Sequence, residues 1–143
     1  MKPLLLSVAA LFLFASVFSP ARSDTAMEAS MKLMSQASKQ LGTDLAQTDD
    51  TKHAKDLDLK SVASIKAESL KSRDLVPKKE QSLPPDQQQT MTQDFQKDMD
   101  TFIKDVDTLN QDIQSEQWNA ARDDFKKLMD EQRADHKLYR TKH

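Results

Sequence analysis

The sequence predicts an all-α protein, an antiparallel up-down-up-down four-helix bundle. Three observations carry that reading. Apolar residues recur at steps of three and four through most of the chain, the spacing that lines one face of a helix. Glycine occurs once, at Gly42, and the prolines stand clear of the periodic stretches. No alternating pattern and no aromatic or β-branched cluster marks a strand.

The first 23 residues read as a cleaved signal peptide rather than as part of the fold. Lys2 supplies a charged start, and Leu4 to Phe18 form an apolar run interrupted only by small residues. Ala21-Arg22-Ser23 places small residues where signal peptidase cuts, so export to the periplasm with cleavage after Ser23 is expected. An apolar run of about fifteen residues is short for a membrane span, which takes ~20. Residues 24–143 then form one domain with one core.

Its first helix is expected from about Thr25 to Thr43, with Met27, Met31, Met34, Ser38, Leu41 and Leu45 inward. Gly42 and the polar run Thr48-Asp49-Asp50-Thr51 mark its end and the following loop. A second helix is expected from about Thr51 to Leu75, with a stripe of Leu59, Val62, Ile65 or Ala63, Ser69 and Leu70. Pro77 ends it, and the stretch from Pro77 to Asp86, with three prolines, forms a loop. The third helix, about Asp86 to Gln114, has the clearest pattern. Phe95, Met99, Phe102, Ile103, Val106, Leu109 and Ile113 trace one face for about five turns. Ser115 is placed to cap a fourth helix that runs to about Arg140, along Trp118, Ala121, Phe125, Leu128, Met129, Gln132, His136 and Tyr139. The short link between the third and fourth helices makes them antiparallel neighbours. A long two-helix hairpin that dimerises is the main alternative to the single-chain bundle.

Composition excludes several functions. The chain has 21 Lys and Arg against 23 Asp and Glu. Loss of Lys2 and Arg22 with the signal takes the net charge from −2 to −4. The charges are interspersed, with no basic block, so nucleic acid is not an expected partner. After signal cleavage no membrane association is expected, and the domain reads as a monomer. Cysteine is absent, so any cofactor is held without thioether links. No paired-carboxylate, nucleophile or phosphate-loop constellation is present, and no enzymatic activity is expected.

One residue departs from this plain helical pattern. His136 shares the inward stripe of the last helix, and an inward imidazole needs a partner for its ring nitrogen. In the up-down topology the start of the first helix and the end of the last lie together. Met31 and His136 each sit about 10 Å from that end at ~1.5 Å per residue. A thioether and an imidazole facing each other suit the two axial positions of a haem iron, or copper(I). Phe95, Phe102, Phe125 and Met34 offer a flat apolar lining larger than one copper ion needs. Arg140, one turn after His136, is a candidate partner for a haem propionate, and Lys78, Lys79 and Lys137 are further ones. The triplet Met27, Met31 and Met34 with His136 forms the alternative copper(I) set. His53 and His143 read as solvated loop and tail residues.

These motifs resemble the cytochrome b562 family, periplasmic four-helix bundles that hold one non-covalent haem b. Met31-Lys-Leu-Met34-Ser-Gln-Ala-Ser-Lys39 is similar to the family's Met-x-x-(Met/Leu)-x-x-x-x-Lys stretch. His136-Lys-Leu-Tyr139-Arg140 is similar to its His-x-x-Tyr-Arg ending. Phe95, Phe102, Val106, Ile113, Ala121 and Leu128 fall on matching core positions without a gap, with Trp118 on an apolar site. Val62, Ile65, Leu70 and Pro77 match more loosely. The resemblance implies Met31 and His136 as axial ligands, Met34 and Phe95 as haem lining, and Arg140 near a propionate. It also implies one-electron transfer with a periplasmic redox partner that the sequence does not identify. Ser38, Met99 and Gln132 depart from the family's large apolar, aromatic and basic residues, and the loops after the first and second helices differ. A cofactor-free periplasmic helical binding or chaperone-like protein is the alternative of a different class.

Overall fold

The computed structural model describes residues 20–140, and side chains from residue 25 onward, Lys78 excepted. Among these residues there are four long helices and no strand. The expected signal segment up to residue 19, and His143, lie outside the described residues. Helix α1 (Pro20–Leu45) begins ahead of the expected cut after Ser23. Proline suits a first turn, where its missing N–H would have no intrahelical partner.

A short 3-10 turn, Asp50–Lys52, joins α1 to α2 (Lys55–Arg73), so the second helix starts four residues later than its periodicity suggests. The side chain of Asp49 caps that turn by accepting from Thr51 N–H at 3.1 Å. A second 3-10 turn, Lys78–Ser82, lies in the proline-rich link, and α3 (Pro85–Gln114) and α4 (Trp118–Tyr139) follow. Ser115 does not cap α4. It ends α3, donating its N–H to the Gln111 carbonyl while Glu116 N–H donates to that of Ile113, and Gln117 precedes α4 without a side-chain cap. Glu116 makes the reversal at φ 57°, in the left-handed region. This geometry costs a non-glycine residue about 1–2 kcal/mol.

The packed core runs through Leu41, Leu45, Val62, Ile65, Phe102, Val106, Leu109, Ile113, Trp118, Ala121 and Leu128. Fully burying one such aliphatic side chain contributes ~1.5–3 kcal/mol. Each of α1, α3 and α4 meets this core largely with the stripe its periodicity marks. α2 differs. Its inward positions are Asp58, Ser61, Val62, Ile65, Glu68, Ser69 and Ser72, so only two are aliphatic. Leu70 is exposed and Ala63 faces solvent, in contrast to the expected stripe. The inward arc is centred on Ser69 and Ser72, and Leu70 lies about 100° around the helix from Ser69.

Gly42 does not terminate α1, which continues for another three residues. Its role is close approach: a Cβ there would come 3.0 Å from Cε1 of the Phe125 ring on α4. Helix α1 packs against α2, α2 against α3, α3 against α4, and α1 against α4. Side chains tie these pairs at defined levels. Ser30 meets Glu68, Arg73 meets Asp100, and Tyr139 meets Asp98.

Candidate functional site

Near residue 27 on α1 and residue 139 on α4 the core stops being continuous. A separate small cluster of Phe95, Met99 and Tyr139 takes over, flanked by Met27 and Met91. Between this cluster and the main core lies a cavity of about 110 Å³ that opens to solvent. Met27, Met31 and Met34 line it from α1, Phe95, Met99 and Phe102 from α3, and Gln132, His136, Tyr139 and Arg140 from α4. The last turn of α2 and the link after it add Ser72 and Pro77. Three of the stripes thus reach the cavity with flexible or flat side chains rather than branched aliphatics, which leaves the space between them unfilled.

The two residues expected to face each other, Met31 and His136, both line this cavity, as do Met34, Phe95 and Arg140. Their states differ in a telling way. Met34 sulfur accepts from the buried Ser69 hydroxyl at 3.3 Å, whereas Met31 sulfur accepts no hydrogen bond among the described residues. Both ring nitrogens of His136 are likewise without a hydrogen-bond partner among the described residues; only its backbone carbonyl is used, by Arg140 N–H at 3.2 Å. Burial, and then the positive charge of Arg140, holds the His136 ring below its ordinary pKa. A neutral imidazole with a free lone pair is the form that ligates a metal.

The rim is more acidic than the sequence reading anticipated. Asp135 lines the cavity beside His136, and burial, followed by the charge of Asp98, pushes its carboxyl up to about 6. Tyr139 donates to Asp98 Oδ2 at 2.5 Å and packs edge-on against Phe95, with ring centroids 5.0 Å apart. Burial and that hydrogen bond raise the phenol well above its usual range. Glu28 also reaches the cavity. Asp135 and Glu28 sit next to inward positions in sequence, so their neighbours His136 and Met27 were the available signal.

Other expected lining residues are elsewhere. Phe125 packs on the main core and against Gly42, not in the cavity, because it lies eleven residues before His136 on the same face, roughly 16 Å away along α4. Lys79 does not reach the cavity; its ammonium donates to the Leu138 carbonyl at 2.9 Å. Lys137 lies on a shallow outer surface with Asp130 and Arg133. Arg140 is therefore the one expected cation among the described side chains that lines the cavity.

A second polar constellation lies where α1 hands over to α2. His53, expected to be solvated, has a fully covered side chain. Its ring stacks on Trp118 with centroids 4.1 Å apart, and Nδ1 lies 2.8 Å from Asp44 Oδ2. Arg122 on α4 fastens the same corner by donating to the carbonyls of Leu45 and Gln47 and to Asp50. The C-terminal carbonyls of α1 thereby gain partners they lack within the helix. Asp58, fully buried, faces Asp44 and His53. Burial, and then the neighbouring Asp44 carboxylate, pushes Asp58 up to about 7. Burial works to raise Asp44 as well, but the adjacent Asp58 carboxyl, the His53 ring and Ala54 N–H together outweigh it and hold that carboxyl low.

No family model matches the chain, and no curated protein or solved structure matches it.

Proposed function

We propose that the chain is a periplasmic electron-transfer protein of the cytochrome b562 type, binding one non-covalent haem b between Met31 and His136. The observation that carries this reading is an apolar cavity onto which both residues open, each with its donor atom free of a hydrogen-bond partner among the described residues. The chemistry of the donor set fits: a thioether and a neutral imidazole give a six-coordinate iron with a raised reduction potential. Met34, Phe95 and Phe102 supply flat apolar contact for the porphyrin face. Arg140 at the mouth suits a propionate. Asp135 and Glu28 also line the cavity and would oppose an anionic propionate, which leaves Arg140 as its partner.

The bound haem would supply reversible one-electron chemistry. The chain's own part would be to hold the group through the Met31 sulfur and the His136 imidazole, keep water away and surround it with apolar side chains. With both donors engaged the site would offer oxygen and peroxide no place to bind, so the reading is a carrier and not an enzyme. The signal-like pattern of the first 23 residues supports a periplasmic location, where the chain would act as a monomer and exchange electrons with a separate redox partner.

The up-down-up-down order is part of this reading. Ser30 near the start of α1 bonds Glu68 near the end of α2 at 2.8 Å, while Asp44 near the end of α1 bonds His53 just before α2. Lys66 pairs with Asp107 and Arg73 with Asp100, so rising numbers on α2 meet falling numbers on α3. Lys127 with Asp105 and Tyr139 with Asp98 repeat the pattern between α3 and α4. All three series support antiparallel neighbours.

The test is a visible spectrum of the purified chain with one equivalent of haem. Sharp α and β bands on reduction, of the low-spin form, are expected. A colourless, folded protein that takes up no haem would instead favour a cofactor-free helical binding protein. Copper(I) uptake without haem uptake would favour the Met27, Met31, Met34 and His136 set, all four of which line the cavity.

A further inference from the structure

We propose that Asp44, His53 and Asp58 form a binding site for one borderline divalent transition cation, with zinc as the representative ion. None of these residues lines the haem cavity.

The three side chains come from the last turn of α1, the connecting loop and the first turn of α2. Each offers one ligand atom, and these atoms all lie within 4.8 Å of one another. A tetrahedral site with bonds of ~2.1 Å sets its ligand atoms about 3.4 Å apart. Small side-chain rotations therefore bring the set to bonding geometry, with water in the fourth position.

Asp58 is the second and independent observation. It is 0% exposed, and neither carboxylate oxygen has a hydrogen-bond partner. The other buried acids are served: Glu68 accepts from Ser30 and Lys71, and Glu80 accepts from Thr92. A buried carboxylate without a counter-charge is strongly unfavourable. Arg122, the nearby cation, does not relieve it, because its guanidinium is directed to backbone carbonyls, Asn119, Asp50 and His53. A divalent cation between Asp44 and Asp58 neutralises both carboxylates at once.

The surroundings also suit ligation by His53. Arg122 only donates, so its NH2 group 3.1 Å from His53 Nε2 requires Nε2 to be the acceptor. Nδ1–H then donates to Asp44. When a cation takes Nδ1, that proton leaves to solvent, Nε2 takes one up, and the Arg122 NH2 group gives up Nε2 while keeping the Gln47 carbonyl and Asp50 as its acceptors. Asp50 Oδ1, 3.6 Å from Nε2, is placed to receive the new N–H, the carboxylate–histidine–metal arrangement that orients ligating imidazoles. One imidazole with two carboxylates selects zinc-like ions over calcium and magnesium, which take all-oxygen shells with more ligands.

Trp118, the chain's single tryptophan, stacks on His53 and so reports directly on the site. The experiment is calorimetric titration of zinc chloride into the chelator-treated full chain, followed in parallel by Trp118 fluorescence. Saturable one-to-one binding with a fluorescence change, not displaced by calcium, is expected. Asp50→Asn should weaken it about tenfold, and Asp58→Asn and His53→Gln by roughly a hundredfold or more. Asp58→Asn keeps the shape and removes the buried charge, so its fold is expected to survive, as circular dichroism would verify. Zinc binding by Asp58→Asn as tight as by the unchanged chain overturns the proposal, as does binding that leaves Trp118 emission unmoved. Absence of zinc binding by the unchanged chain, with Asp58→Asn melting higher in chelator, also overturns it: the two carboxyls then only share a proton.

Discussion

The region around Leu41, Leu109 and Leu128 and the region around Met31, Phe95 and His136 are built on the same helices, yet they solve opposite problems. In the first, branched aliphatic side chains interlock until several have no exposed surface at all. In the second, the same inward stripes carry methionines, flat aromatic rings, a glutamine and a histidine, and a cavity remains. A helical stripe therefore says where a side chain faces, and the shape of that side chain decides whether the space closes. Polar residues do not divide along the same line. Ser69 and Glu68 find partners near the cavity, but the buried Ser72 hydroxyl beside it finds none, like Asp58 at the corner of α1 and α2.

The largest expected effect is on the cavity. Met31→Ala and His136→Ala should each abolish the low-spin reduced spectrum of the haem-loaded protein while leaving the helix content intact. If both variants keep that spectrum, the iron is held elsewhere and the cavity is only a packing gap.

The packed region should respond through stability instead. Leu109→Ala removes a fully buried side chain and should cost ~2–5 kcal/mol in urea melts of the haem-free protein. Met99→Ala, whose side chain already borders empty space, should cost clearly less. Equal losses at the two positions would mean that the cavity region is as tightly filled as the core.

A pH titration separates the polar corner from both. The Asp58 carboxyl sits at about 7 in the fold against an ordinary 3.8. The folded form therefore holds a proton that the unfolded chain releases between those values. Its contribution to stability is full below about pH 3.8 and is lost as the pH rises to about 7. Asp44 and His53 face it, with Arg122 bonded to the far nitrogen of His53. In chelator, Asp58→Asn should flatten that slope and melt higher than the parent at pH 8. An unchanged slope would show that Asp58 is already neutralised in the protein.

Smallest of all should be the exposed pairs that join neighbouring helices in both regions. Arg73 reaches Asp100 through two nitrogens, yet both groups face solvent. Arg73→Ala should shift the melting temperature little, and less again at high salt. A large shift would assign structural weight to the link between α2 and α3.

Much of the site was legible because helical periodicity is local. Met31, Met34, Phe95, His136 and Arg140 fall on inward or end positions that spacing alone identifies, and they reach one cavity. What spacing missed depends on partners. Phe125 follows the same rhythm as His136, but the helix it meets presents Gly42, and the ring fills that notch. Ser115 carries a good capping side chain, yet Glu116 turns the chain before α4 starts. His53 looks like a loop residue until Trp118 and Asp44 enclose it.

The sequence by itself determined the helical class and the inward faces of α1, α3 and α4, since these follow from residue type and a period of 3.6. Tertiary structure alone decided that α2 turns serines and two acids inward, that Gly42 admits an aromatic ring, and that His53 is covered. Those outcomes depend on which surfaces the other helices present. Burial of a polar group is governed by the partners it meets across the interface, and no periodicity within one helix carries that information.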